Sequence, residues 1–187
     1  MVLVIGSDLG VAGQQERRLR RAGYDVVTAG TAAAGMREVR RGNVELIVLD
    51  YRLPELNGLE VYDRLKRAGQ DLPVILVTDS GDAATILQAL RAGVRDFVTK
   101  TAGYLDYLPE AVGRVLKQVR LEQQLAVSEA RLAGVIHSAM DAIVTADTER
   151  HITLFNAAAE RTFRCPAAEA LGRPLDAFIP AKLNGGA

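Results

Sequence analysis

Three residues suited to one reaction recur at one kind of place in this chain. Asp50 closes the run Val44-Glu45-Leu46-Ile47-Val48-Leu49, Thr78 closes Pro73-Val74-Ile75-Leu76-Val77, and Lys100 closes Asp96-Phe97-Val98-Thr99. A carboxylate can accept a phosphoryl group as an acyl phosphate. A lysine brings positive charge to phosphoryl oxygens, and a threonine hydroxyl can hydrogen-bond one of them. Pro54 and Gly58, shortly after Asp50, mark a shaped loop and not a continuing strand. Taken singly, an aspartate in such a place is more often a turn former and a lysine a surface residue. Finding all three at strand ends is what points to chemistry.

The elements that must position these residues alternate regularly. Strands are expected at Val2–Ile5, Asp25–Ala29, Glu45–Asp50, Pro73–Thr78 and Asp96–Thr99, with helices near 10–22, 32–41, 57–69 and 82–92 between them. Gly23, Gly42, Gly69 and Gly93 each follow a helical pattern, where a left-handed cap is wanted. Five repeats of strand then helix imply a parallel sheet covered on both faces. The functional crevice of such a sheet lies at the carboxyl ends of its strands. That edge gathers Gly6-Ser7-Asp8, Asp50, Thr78-Asp79 and Lys100.

The 187 residues suit one domain of common size plus a further piece, and 49% hydrophobic residues suffice for a core. No run approaches the ~20 apolar residues of a membrane span. Residues 1–5 run directly into a strand with no signal-peptide pattern. Cys165 is the only cysteine, so no internal disulfide forms. A cytoplasmic setting is expected. Equal numbers of basic and acidic residues, 23 of each, give no push towards nucleic acid. The Arg17, Arg18, Arg20, Arg21 and Arg37, Arg40, Arg41 clusters read as solvated helix faces.

From Pro109, placed in a first helical turn, a helix is expected to run to about Met140. Such a helix would measure roughly 48 Å, too long for one small domain. Leu105, Leu108, Val112, Val115 and Val119 are expected to pack on the sheet. Leu121, Leu125, Ser128, Leu132 and Val135 repeat that spacing in a shifted phase. They form either a two-stranded coiled-coil seam, and so a homodimer, or the face of a lone surface helix. A strand pair at Asp141–Ala146 and His151–Asn156 follows, then helices near Ala157–Phe163 and Pro166–Leu171, and a polar end at 182–187. Two strands and two short helices do not close a stable core alone.

The residues around Asp50, then Leu53-Pro54 and Gly58, Pro73–Thr78, and Ala92-Gly93-Val94-Arg95-Asp96-Phe97-Val98-Thr99-Lys100 together resemble the receiver domain of two-component response regulators. The resemblance covers residues 1 to about 120. It implies a flavodoxin-like, doubly wound five-stranded parallel sheet. It also implies that Asp50 takes phosphate from a histidine kinase or phosphotransfer protein with Mg²⁺ present. Thr78 would then move towards the phosphate and Phe97 would swing inward as the aromatic switch. Such a domain is a phosphoacceptor, at most catalysing its own phosphotransfer and dephosphorylation, and not an enzyme in the ordinary sense.

Two departures from the family pattern bear on that chemistry. The acidic pair that holds Mg²⁺ after the first strand is replaced by Gly6 and Ser7, and only Asp8 beyond them is acidic. Magnesium wants near-octahedral oxygen ligation. Asp50, the backbone carbonyl of Arg52, waters and, if its loop bends, Asp8 are what remain. Weak metal binding should slow phosphorylation severely, since the metal's charge is worth several kcal/mol in such transfers. Secondly, Asp79 stands where a small residue is usual. Its charge either repels a phosphoaspartate or supplies the missing carboxylate. Thr101 in place of proline is a lesser change. A pseudo-receiver, keeping the fold as a dimerisation or docking surface, is the alternative reading.

Residues Asp141–Asp147, Ile152–Phe163 and Glu169–Leu175 resemble the first half of a PAS sensor domain, giving a partial α+β segment over 136–187 joined to residues 1–120 by a helical linker at 121–135. The chain is expected to be a fragment of something longer, a signalling input module whose output lies elsewhere. In light-sensing PAS domains a reactive cysteine follows the Gly-Arg that here is Gly172-Arg173, but Pro174-Leu175 stand there. Flavin photochemistry is not expected. His137 reads as an ordinary helix histidine. The opening Gly6-Ser7-Asp8-Leu9-Gly10 superficially suggests a dinucleotide-binding turn of an NAD or FAD oxidoreductase. The second and third glycines of that fingerprint would be Asp8 and Val11, and Asp8 would repel a pyrophosphate.

Overall fold

Four- and five-residue runs of Val, Leu and Ile can bury both faces of a strand, and the chain uses them so. A computed structural model describes residues 1–79 and 83–178. The first position of the expected 82–92 helix and the polar end at 182–187 lie outside the described residues. Contacts divide the chain into two units, Met1–Glu122 and Gln123–Ala187.

In the first unit β1 (Val2–Ile5), β2 (Val26–Ala29), β3 (Leu46–Asp50), β4 (Val74–Thr78) and β5 (Asp96–Thr99) alternate with α1 (Leu9–Arg21), α2 (Ala32–Arg40), α3 (Gly58–Arg67) and α4 (Ala83–Ala92). The strands form one parallel sheet in the order β2-β1-β3-β4-β5, which is the flavodoxin-like doubly wound order. Successive side chains point to opposite faces. Val2, Val4, Val48 and Val77 therefore pack towards α1 and the helix after β5. Leu3, Ile5, Leu49 and Leu76 pack towards α2, α3 and α4. Each face is a closed apolar layer, which leaves the carboxyl edge of the sheet to its polar residues. The left-handed residues Gly69 (φ 72°) and Gly93 (φ 98°) end α3 and α4 and turn the chain back into the sheet.

Helix α5 spans Tyr104–Ser138. It starts five residues before the expected Pro109, which therefore lies inside the helix and not in its first turn. Pro109 forfeits one backbone bond, but an earlier start lets Leu108 be fully buried and Tyr104 pack against the same layer. Burial outweighs the lost bond. Leu108, Val112 and Val115 are buried on the sheet and Val119 partly so, as their spacing implies. Leu105 differs: it is half-buried beside Gln14, Arg17 and Arg18 of α1. Leu121, Leu125, Leu132 and Val135 are all exposed. The arginines of α1 and α2 are exposed as well.

In the second unit β6 (Val144–Ala146) pairs antiparallel with β7 (Ile152–Phe155), followed by α6 (Ala157–Phe163) and α7 (Ala167–Ala170). Its small core centres on Ile152, Phe155, Ala159 and Ala170, with Phe155, Phe163 and Phe178 in mutual ring contact at 5.4–5.7 Å. Asn156 is buried and ties the unit's pieces together. Its Oδ1 accepts from the Ile143 and Ala159 N–H groups, capping α6, while its Nδ2 donates to the carbonyls of Ile136 and Asp141. No helix among the described residues is long and apolar enough to cross a membrane.

Candidate functional site

Strand register brings the three residues of interest to one edge. Asp50 pairs with Val77, and Thr78 with Thr99, so the next residues along β4 and β5, Asp79 and Lys100, leave the sheet side by side. The backbone N–H of Lys100 donates to the Thr78 carbonyl at 2.8 Å, which locks that step. Thr78 itself is buried. Phe97, three residues before Lys100, is half-buried against the layer holding α3 and α4.

Asp50 is 8% exposed. Its Oδ2 accepts from the Lys100 ammonium at 2.7 Å, and its Oδ1 from the Arg52 N–H at 3.1 Å. The loop beyond is fastened from both sides. The Gly58 N–H donates to the Tyr51 carbonyl at 2.8 Å, and Asn57 and Glu60 form a reciprocal cap on α3. Gly58 is required by closeness: an added Cβ would lie 2.7 Å from Leu76 Cδ1 and 2.9 Å from the Asp50 carbonyl oxygen. Burial disfavours the charged Lys100, but the hydrogen bond and charge of Asp50, with Asp79 assisting, overcome this and raise its pKa above the usual 10.5.

Asp79 lies on the other side of Lys100. Its Oδ1 is 3.4 Å from the Lys100 ammonium and its Oδ2 is 3.9 Å from the Arg52 guanidinium. Only the carbonyl of Arg52 carries a role in the sequence reading, so the place of its side chain is new. Gln15 and Tyr104 are likewise additions: buried Gln15 donates to the Tyr104 hydroxyl at 3.4 Å. Burial pushes the Tyr104 phenol up, and the charges of Lys100, Asp50 and Asp79 all reach it. The earlier start of α5 is what places it there.

Of the residues left for a metal, Asp50 and Arg52 are joined by the bond from the Arg52 N–H to Asp50 Oδ1. Asp8 caps α1, its Oδ1 accepting from the N–H groups of Gly10 and Val11 at 2.8 and 3.1 Å. That carboxylate also fills the helix start that a dinucleotide's pyrophosphate would need. Among the described residues no group of three or more His, Cys, Asp or Glu is placed to hold a metal ion. At Gly6 an added Cβ would meet only ordinary contacts, 3.8 Å from Asp50 Cβ and 3.9 Å from its Oδ2. A side chain at that position would therefore stand directly beside Asp50.

The family profile described as response regulator receiver domain matches residues 2–112, more than half of the chain. The chain belongs to the response regulator receiver family. Receivers are phosphoacceptor regulatory domains and not classical enzymes. The PAS fold profile matches residues 130–183, so the receiver is followed by a PAS segment and the two form a signalling module. Among curated relatives, the transcriptional regulatory protein GlrR of Escherichia coli is 32% identical over 63% of this chain and 26% of its own length. The transcriptional regulatory protein KdpE of Mycobacterium tuberculosis is 34% identical over 66% of this chain and 55% of its own. The chain thus spans between about a quarter and just over half of those proteins. Among solved structures, the receiver domain of a putative LuxO repressor protein from Vibrio parahaemolyticus superposes with TM-score 0.62 at 25% identity, over 66% of this chain and 95% of that one. The receiver domain of NtrX from Brucella abortus gives 0.58 at 26% identity, over 63% and 98%.

Proposed function

We propose that this receiver accepts a phosphoryl group on Asp50 from a sensor histidine kinase or phosphotransfer protein, with Mg²⁺ held weakly, and relays the change through α5 to the PAS segment. The observation that carries the reading is the buried Asp50 carboxylate, 2.7 Å from the Lys100 ammonium at the carboxyl edge of the sheet. In this reading Lys100 balances charge on the transferred group and the Thr78 hydroxyl bonds it. Asp50, Asp8 and the Arg52 carbonyl are the oxygens available to Mg²⁺. With Gly6 and Ser7 lacking carboxylates, and Asp8 engaged as a helix cap, they fit an octahedral ion poorly.

Acetyl phosphate tests this directly. The Asp50 carboxylate attacks phosphorus and acetate leaves, so the chain gains an acyl phosphate without any partner protein. Slow labelling that vanishes in Asp50→Asn and responds weakly to Mg²⁺ is expected. Labelling that persists in Asp50→Asn overturns the assignment.

A second reading, the phosphorylation-independent pseudo-receiver, draws support from Lys100, which already faces two carboxylates. Beryllofluoride with Mg²⁺ separates the two. Amide shifts at Thr78 and Phe97 favour the phosphoacceptor; silence there, with recovery in a Gly6→Asp, Ser7→Asp double variant, favours the pseudo-receiver. We further propose that the exposed Leu121, Leu125, Leu132 and Val135 seat a second copy of the chain. Light scattering should find dimer in the full chain and monomer in a form ending near Arg120.

A further inference from the structure

We propose that Asp79 is a built-in anion that occupies Lys100 and Arg52 in the resting site, and so sets how readily a phosphoryl group can enter. This rests on the phosphoacceptor reading of Asp50 given above. The register of β4 and β5 leaves little freedom in the matter. With Thr78 opposite Thr99, the residue following each strand emerges beside the other, and parallel neighbours lie about 4.8 Å apart. An acidic residue at position 79 is therefore delivered next to the lysine at position 100.

The distances bear this out, with Asp79 Oδ1 at 3.4 Å from Lys100 and Oδ2 at 3.9 Å from Arg52. An ammonium has three N–H groups. One is committed to Asp50 at 2.7 Å, and a second faces Asp79. The carboxylate thus bridges two cations from the solvent side, with its own side chain 45% exposed while that of Lys100 is 12% exposed. That is the side from which a phosphoryl donor must approach. Two carboxylates, Asp50 and Asp79, face two cations, Lys100 and Arg52, so this set of four side chains balances to zero without any metal. An entering phosphoryl dianion must displace one carboxylate from Lys100 and is repelled by its charge. Asp79 is in this sense a positioning residue: it acts through Lys100, not on phosphorus.

The test uses the full chain carrying Gly6→Asp and Ser7→Asp, so that metal supply is not limiting, with Asp79→Asn or Asp79→Glu added. Acetyl-phosphate labelling in excess Mg²⁺ should speed up on the order of tenfold with Asp79→Asn, below the 10²–10³ that a dedicated charge-stabilising donor supplies. Asp79→Glu, which keeps the charge, should stay slow. An effect of mere bulk or folding would not distinguish these two. Beryllofluoride binding, read at the Thr78 and Phe97 amides, should tighten in the same variant. Equal labelling and equal beryllofluoride affinity with and without Asp79→Asn would overturn the inference while leaving Asp50 as the acceptor. Tighter beryllofluoride binding in Asp79→Asn without labelling of Asp50 in any variant would sustain the inference and overturn the phosphoacceptor reading.

Discussion

Gly58→Ala should destabilise the receiver unit, and the size of the effect follows from three contacts. An added Cβ would lie 2.7 Å from Leu76 Cδ1, 2.9 Å from the Asp50 carbonyl oxygen and 3.0 Å from Tyr51 Cα. Real Cβ atoms do not approach so closely, and two of the three obstacles are backbone that no rotamer change can clear. Overpacking of this kind costs about 1–3 kcal/mol. Alanine returns up to roughly 1 kcal/mol through helix propensity and a less flexible unfolded chain. The net loss should be about 1–2 kcal/mol, with the Asp50 loop displaced. Gly13→Ala is the matched control: it lies within α1 of the same unit, and its Cβ would meet nothing within 4 Å. It should gain roughly 0.5–1 kcal/mol. Urea unfolding followed by circular dichroism reads both, as midpoints moving in opposite directions at constant slope. Gly58→Ala as stable as the parent would refute the close-approach reasoning.

Two further outcomes are expected. The folded pKa values of Lys100 and Tyr104 are raised above their usual 10.5 and 10.0, the first by Asp50 and Asp79 against the opposing effect of burial, the second by burial. Their stabilisation is therefore complete below about pH 10 and lost as pH rises through the folded values. The urea midpoint should fall above that pH, and less steeply in Lys100→Met; a midpoint that holds or rises contradicts the electrostatics. Asn156→Ala strips partners from Ile143 and Ala159 N–H and from two carbonyls, which should cost the second unit about 2–3 kcal/mol. Hydrogen exchange at Ile143 and Ala159 should accelerate accordingly, and unchanged protection would remove Asn156 from its central place.

Much of the receiver unit can be read from the chain alone because β1, β3 and β4 are short runs of Val, Leu and Ile, unbroken up to the polar residue that ends β3 and β4. Val2–Ile5 and Asp96–Thr99 coincide with the observed strands to the residue. Asp50 and Thr78 are visible because each terminates such a run, and Lys100 because it directly follows the strand Asp96–Thr99. The rest depended on contacts distant in sequence. Pro109 is an honest first-turn signal, and only burial of Leu108 and Tyr104 reveals an earlier helix start. The sign of Asp79's charge suggests repulsion of phosphate, while its pairing with Lys100 depends on the register of two strands. Asn156 reads as the end of a strand, while its bonds to Ile136, Asp141 and Ile143 span up to 20 residues.

Central to the proposed function is that Asp50 accepts phosphate at a site that holds Mg²⁺ only weakly. Isothermal titration of Mg²⁺ into the parent chain and into the Gly6→Asp, Ser7→Asp variant tests it most directly. An added Cβ at Gly6 falls 3.9 Å from Asp50 Oδ2 without a clash, so a carboxylate there can join the site. The account predicts weak binding by the parent, tightening on the order of tenfold or more in the variant. Equal and tight binding by both would contradict it.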